Sequence, residues 1–288
     1  MSVTNNGTAR KISIHSSVVL RILASIFFVP CFFIVTRKGG YHFLALVDLV
    51  IFIGMWEFYS IMETKGIRPY KGIGILCALA LSWYVFFRNG IYANLFLTLA
   101  LIGIMCLELT RRNGRKAVDH LATTIFGVIY VSFLGSHLIM LRELPLSLNL
   151  DYGYGSSFVF LALIVTWSGD TGAYIVGMFA GRRPLLPRIS EKKTKEGAVG
   201  GVVSSLVGAI VARYTFASFL VTWQAVAIGF IAAFIGQLGD LVESMIKRDA
   251  EIKDASATIP GHGGVLDRFD SLLFTSPLIY YFLKFVVF

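Results

Sequence analysis

Nine apolar runs, each close to the length that crosses a bilayer, leave this chain of 288 residues little choice of architecture. They cover residues 17–35, 42–62, 72–87, 91–110, 121–141, 156–179, 198–213, 221–246 and 271–288. A spanning helix needs about 20 mostly apolar residues, so the third and seventh runs are short. Stretches such as FFVPCFFIV and FVFLALIVTW are apolar all round, as helices facing lipid or buried in a bundle are. Composition agrees: 56% of residues are hydrophobic and 15% charged, against about a quarter charged in soluble domains. The expected fold is an all-α, polytopic transmembrane bundle of about nine spans forming one integral membrane domain over 1–288. Spans within 17–141 form its N-terminal part, and 156–288 carries the motifs.

Charge then orients the bundle. With the N-terminus in the cytoplasm, the loops on that side collect Arg10 and Lys11, then Lys65, Arg68 and Lys71, then Arg111, Arg112, Arg115 and Lys116. Further along they collect Arg182, Arg183, Arg188, Lys192, Lys193 and Lys195, and finally Lys247, Arg248, Lys253 and Arg268. The other side receives only Arg37, Lys38, Arg88, Arg142, Arg213 and Lys284. This is the positive-inside bias. The first run follows Arg10 and Lys11 as a signal peptide would, but Pro30 and Cys31 interrupt it and no small-residue cleavage site follows. It reads as a retained helix. Cys31, Cys77 and Cys106 all fall in apolar runs without CxxC spacing. They read as small buried hydrophobes, with no zinc site or disulfide.

Chemistry concentrates in SMIKRDAEIKDASATIPGHGGVLDRFD, residues 244–270, between the last two apolar runs. Dense ionisable groups beside hydrocarbon tend to mark function. Just before it, Asp240, Ser244 and Lys247 stand at i, i+4 and i+7, on one helix face, with Glu243 beside them at i+3. That stripe suits a metal ion together with a phosphate; the plainer alternative is a salt bridge between Asp240 and Lys247. An unpaired Asp at mid-helix costs about 3 kcal/mol, so it needs a partner of some kind. The IPGHGG turn lets the backbone approach a ligand closely, and its N–H groups suit an anion. His262 there is a phosphate donor, a general base or a plain turn residue.

Asp267 and Asp270, at i and i+3, share the N-terminal face of the last helix. With Asp240 from the preceding helix they are expected to converge on Mg2+, which also takes substrate phosphate oxygens. The alternative is an N-cap at Asp267 with Arg268 as its counter-ion, which explains only one of the two. Asp170, in the WSGDTGAYIVG stretch, is either a wall of the same site or a polar contact between helices, and Gly169, Gly172 and Gly177 allow close packing there. The basic segment after it carries topology signal and attraction to anionic lipid; Lys192 and Lys193 are also placed to reach a nucleotide triphosphate. Asp48, Glu57 and Glu108 are isolated, and interfacial snorkelling or helix pairing accounts for them.

These residues resemble the signature of the phosphatidate cytidylyltransferase (CDP-diacylglycerol synthase) family. Ser244, Lys247, Arg248, Lys253, Asp254, His262, Gly263, Gly264, Asp267, Arg268 and Asp270 stand at its fixed positions. Upstream agreement includes Asp170, Gly172, Ala173 and Tyr174, the ISxKKTxEG pattern over 189–197, and GDLxES over 239–244. Glu191 and Lys195 depart from it, standing where the family commonly has a proline and a bulky apolar residue. The resemblance covers roughly the C-terminal half. It implies transfer of CMP from CTP to phosphatidate, giving CDP-diacylglycerol and pyrophosphate for phospholipid biosynthesis. It puts Asp240, Asp267 and Asp270 on Mg2+, with a second cation left open, and Lys247 among the catalytic groups. Ser244, Arg248, Lys193, His262, Arg268 and Asp170 fall to substrate binding. The implied setting is the inner (plasma) membrane, with the site facing the cytoplasm and CTP, phosphatidate and membrane lipid as partners. No nucleic acid is expected, and a homodimer stays open. Rival readings are a related enzyme acting on another lipid, such as a CDP-archaeol-type synthase or polyprenol kinase, and a transporter. The charges gather at one face rather than along a midplane path, which counts against a transporter.

Overall fold

Long apolar runs with few breakers become helices, and small residues decide how those helices meet. The computed structural model describes residues 30–87, 90–111, 115–252 and 264–288. After a helical stretch over 30–38 come α1 (Gly40–Thr64), α2 (Lys71–Phe87), α3 (Gly90–Glu108) and α4 (Ala117–Gly127), which continues as a π-helical turn over Val128–Phe133. Next are α5 (His137–Leu148) and α6 (Tyr154–Ala180), strands β1 (Pro184–Leu186) and β2 (Ser190–Thr194), and α7 (Lys195–Thr215). Helices α8 (Thr222–Asp249) and α9 (Leu266–Phe282) close the fold, α9 winding into a π turn over Leu283–Val287. The all-α expectation holds for the bundle. The basic loop adds a small antiparallel hairpin, β1 with β2.

Five of these helices, α1, α6, α7, α8 and α9 with its extension, are long and apolar enough to cross a membrane. The chain is a multi-pass membrane protein. Helices α4 and α5 make a sixth span if taken together, although they bend by 46°. The bend falls where the π turn meets Gly135 and Ser136, a usual cause of a sharp kink. Helix α2 and the 98–108 part of α3 are shorter apolar helices. The expected count of nine is thus reduced to five or six full spans among the described residues, and most of run 17–35 lies outside them. The seventh run, short in sequence, is a full 21-residue helix because it extends at both ends of the apolar core.

Helices α6 and α7 touch through their glycines. A Cβ on Gly172 would overlap the Ser204 hydroxyl, and one on Gly201 would stand 3.1 Å from the carbonyl oxygen of Gly169. Small residues drive association where lipid offers no hydrophobic gain between helices. The other face of α7 presents Val199, Val203, Val207 and Val211, all exposed at steps of four, a stripe suited to acyl chains. Exposure therefore has a different meaning here from that in water. Cys31 and Cys106 are exposed and Cys77 is partly buried, which corrects the expectation of three buried thiols: an apolar side chain at a lipid face needs no burial.

The isolated acids are paired between helices, and none needs snorkelling. Asp48 accepts from the Ser82 hydroxyl and, at 2.8 Å, from the Trp83 indole. Glu108 meets His120 at 3.1 Å and Arg111 at 3.4 Å. Glu57, 1% exposed, accepts the backbone N–H groups of Val265 at 3.1 Å and Leu266 at 2.8 Å. It thereby satisfies two donors that α9 leaves open at its start, and fixes where that helix begins.

Candidate active site

Four elements converge near the start of α9. Helix α8 contributes Asp240, Glu243, Ser244 and Lys247 from its last turns, α9 contributes Asp267 and Asp270 from its first, α6 contributes Asp170, and strand β2 contributes Lys193. Gly239 sets the closeness of α8 to α9, since a Cβ there would lie 2.7 Å from the carbonyl oxygen of Asp270. Backbones this near bring their side chains together without long reach.

The carboxylates of Asp240, Glu243 and Asp270 each offer an oxygen, and these lie within 4.8 Å of one another. Glu243 is 1% exposed and Asp270 7%. Lys247 donates to Glu243 Oε2 at 3.1 Å and to Asp267 Oδ1 at 2.7 Å. Asp267 Oδ2 accepts from the backbone N–H of Gly264 at 3.0 Å. Lys193 places its ammonium 2.7 Å from Asp240 Oδ2, an ion pair that lacks hydrogen-bond angles. Asp170 Oδ1 accepts the Ser271 hydroxyl at 3.2 Å, and the Ser271 N–H donates to Asp270 Oδ1 at 2.6 Å. Asp170 is thus linked to Asp270 through Ser271, a polar contact between α6 and α9.

Several expected partners differ. The salt bridge weighed for Lys247 with Asp240 is absent: Lys247 pairs with Glu243 and Asp267, and Asp240 pairs with Lys193. One helical turn separates Glu243 from Lys247, whereas Asp240 lies a further turn back. Lys247 is accordingly a counter-ion of Asp267, and Arg268 is exposed. Of the three expected metal ligands, Asp240 and Asp270 are in the close trio, and Asp267 stands at its edge, in contact with Glu243 and held by Lys247. Glu243 completes the trio. Its signal in the sequence was its place at i+3 from Asp240 and i−4 from Lys247. Arg248 is exposed and donates to the carbonyls of Ile189 at 3.3 Å and Ile252 at 3.4 Å, tying the hairpin to the end of α8. Ser244 is half-buried beside Glu243. His262 lies outside the described residues.

Among the described residues, five carboxylates here, Asp170, Asp240, Glu243, Asp267 and Asp270, gather with two ammonium groups, Lys193 and Lys247. Glu243 Oε1 is buried without a hydrogen-bond partner. A buried carboxylate oxygen facing other carboxylates is costly unless a cation answers it. Hard oxygen donors of this kind fit Mg2+, whose octahedral shell is about 4 Å across. The donor set therefore fits a divalent metal.

Known proteins supply the wider frame. A model of the cytidylyltransferase family matches residues 19–286. A phosphatidate cytidylyltransferase of Synechocystis sp. is 34% identical over 285 residues, covering 91% of this chain and 95% of that protein. The Bacillus subtilis phosphatidate cytidylyltransferase is 32% identical over 266 residues, covering 91% and 96%. A chloroplastic phosphatidate cytidylyltransferase of Arabidopsis thaliana is 33% identical, covering 87% of this chain and 69% of its own length. With nearly its whole length matched, the chain belongs to the cytidylyltransferase family.

Proposed function

We propose that this protein transfers CMP from CTP to phosphatidate, giving CDP-diacylglycerol and pyrophosphate. The observation that carries the reading is a carboxylate centre short of donors, flanked by Lys193 and Lys247, at a helix end of a membrane bundle from a cytidylyltransferase family. Such a place lets a nucleotide arrive from water while acyl chains stay in lipid. The charge bias favours the cytoplasm for that end and for the N-terminus, with the inner membrane as its setting.

Asp240, Glu243 and Asp270 would hold Mg2+, with Asp267 at the edge of the set. Bound there, the ion supplies neutralisation of charge on the phosphoryl oxygens. The chain's own residues do the rest. Lys193 and Lys247 neutralise Asp240 and Asp267, and each ammonium has three donors, so each keeps an N–H to turn toward a phosphate oxygen. Ser244 on the same helix face, with the exposed Arg248 and Arg268 on the ends of the two helices, adds donors for the triphosphate, and the sequence offers His262 as a further one. In the reaction a phosphatidate oxygen forms a bond to the α-phosphorus of CTP. The bond from that phosphorus to the bridging oxygen breaks, and its electron pair leaves with pyrophosphate. The nucleophile needs no general base, because the second pKa of a phosphate monoester lies near 6. What remains is positioning and electrostatic stabilisation.

Purified protein incubated with CTP labelled at the α-phosphate, phosphatidate and Mg2+ is expected to release pyrophosphate and label the lipid, and excess chelator to stop it. Label left on released CDP and absent from the lipid, with transfer of label to the lipid from CTP labelled at the γ-phosphate instead, would mean a kinase. Labelling of an ether lipid or polyprenol phosphate in preference to phosphatidate would move the substrate assignment.

A further inference from the structure

Tyr130 is a buried polar group that this chemistry leaves unused. It sits in the π-helical turn Val128–Phe133 and is 3% exposed, and its hydroxyl is buried without a hydrogen-bond partner. The ring has little room to turn. It stacks on Phe126 at 5.5 Å between centroids and meets Phe58 at 6.0 Å and Phe274 at 6.3 Å. Phe274 stands one turn after Asp270 on α9, and its ring lies against Gly239 of α8, so Tyr130 packs beside the two helices that carry Glu243, Asp270, Asp240 and Asp267, the acids whose charges reach it.

An unanswered buried hydroxyl costs about 1–3 kcal/mol, and a phenylalanine would fill the same aromatic stack without that cost. Packing thus explains the ring and leaves the oxygen unexplained. The backbone adds a second sign. A π turn admits one extra residue, which rotates the rest of the helix by about 100° relative to a regular α-helix. Such turns recur at functional sites.

We propose that Tyr130 donates its hydroxyl hydrogen bond into the carboxylate centre, to an oxygen in the shell of the cation held by Asp240, Glu243 and Asp270. That oxygen is a water before substrate binds or a phosphate oxygen afterwards. The assignment rests on the metal reading given above. Tyr130 is then a positioning residue for the metal's outer ligands, reached from α4, an element that carries none of the charged groups.

Tyr130→Phe removes only the hydroxyl. The full-length protein in detergent is titrated with Mg2+ alone, without nucleotide, and its thermal unfolding followed; steady-state rates are then measured at saturating Mg2+. If the partner is water, the Mg2+ concentration for half-maximal stabilisation rises about tenfold, the effect of one hydrogen bond to a charged site. If it is a phosphate oxygen, that midpoint stays put and kcat falls about tenfold. In either case unfolding without Mg2+ stays at the wild-type temperature or above. An unchanged midpoint together with an unchanged kcat overturns the proposal, as does Phe126→Leu, which disturbs the ring stack but keeps the hydroxyl, giving the same shifts. Asp270→Asn separates the two readings. Loss of its Mg2+ response, with both midpoint and kcat unchanged in Tyr130→Phe, rejects Tyr130 alone, whereas a wild-type Mg2+ response in Asp270→Asn rejects the metal centre and the proposal with it.

Discussion

Arg142 and Glu243 are equally hidden, each 1% exposed, yet the two ends of the bundle treat their charges in opposite ways. Arg142 gives its Nε to the carbonyl of Thr36 at 2.7 Å, and its other nitrogens to Arg37 at 3.0 Å and Tyr152 at 3.2 Å. The guanidinium carbon lies 4.0 Å from the Tyr152 ring centre. The Tyr152 hydroxyl donates to Glu143 at 2.7 Å and accepts from the Gly40 N–H at 2.8 Å. Both charged groups of that knot have an answer, and together they tie residues 36–40 to the start of α6. Sixteen residues further along α6, about 24 Å away, Asp170 belongs to the other end, where carboxylates crowd together and Glu243 Oε1 has no donor. Both ends bear the cost of ionised groups out of water. One recovers it within the protein; at the other the acids face one another and Glu243 Oε1 stays unanswered.

The comparison breaks first at Asp270. Asp270→Asn is expected to lower turnover about a hundred- to a thousandfold, with thermal unfolding in the absence of Mg2+ unchanged or raised, because one of several like charges is gone. A loss of stability matching the loss of rate would make this end architectural too. Arg142→Met should give the converse. Three backbone carbonyls lose their donor, so stability falls by about 3–5 kcal/mol, while kcat of the protein that remains folded holds near wild type. Denaturation in detergent and active-site-normalised rates read the two effects apart. The smallest effect sharpens the contrast: Asp119, exposed in the first turn of α4, is an ordinary surface acid. Asp119→Asn should shift stability by less than about 0.5 kcal/mol and leave turnover alone, and a large loss of rate there would extend the site beyond the residues named.

Much of this was legible without coordinates. Apolar length gave the helices, and the asymmetry of Lys and Arg gathered one set of loops. Asp240, Lys247, Asp267 and Asp270 gather near the start of α9 with Asp170 and Lys193, and for the four on α8 and α9 helical spacing already gave a shared face. The count of spans was less legible, since a kink at 134–136 divides an apolar run without changing its composition. The hairpin was illegible for a similar reason: three- and five-residue strands inside a basic loop lack a hydrophobic alternation to announce them.

Sequence by itself therefore determined that this protein is a membrane bundle with a charged end, because hydropathy and i, i+3, i+4 spacing are local properties of a chain. Only the tertiary structure decided which charge answers which. The pairing of Lys193 with Asp240, the grip of Lys247 on Glu243 and Asp267, the Glu57 carboxylate at the start of α9 and the Tyr130 hydroxyl beside the acids all join different elements. Such contacts depend on how far each helix is rotated and how closely its backbone approaches the next. Close fits such as Gly239 against Asp270 set those quantities, and a helix's own sequence periodicity does not carry them.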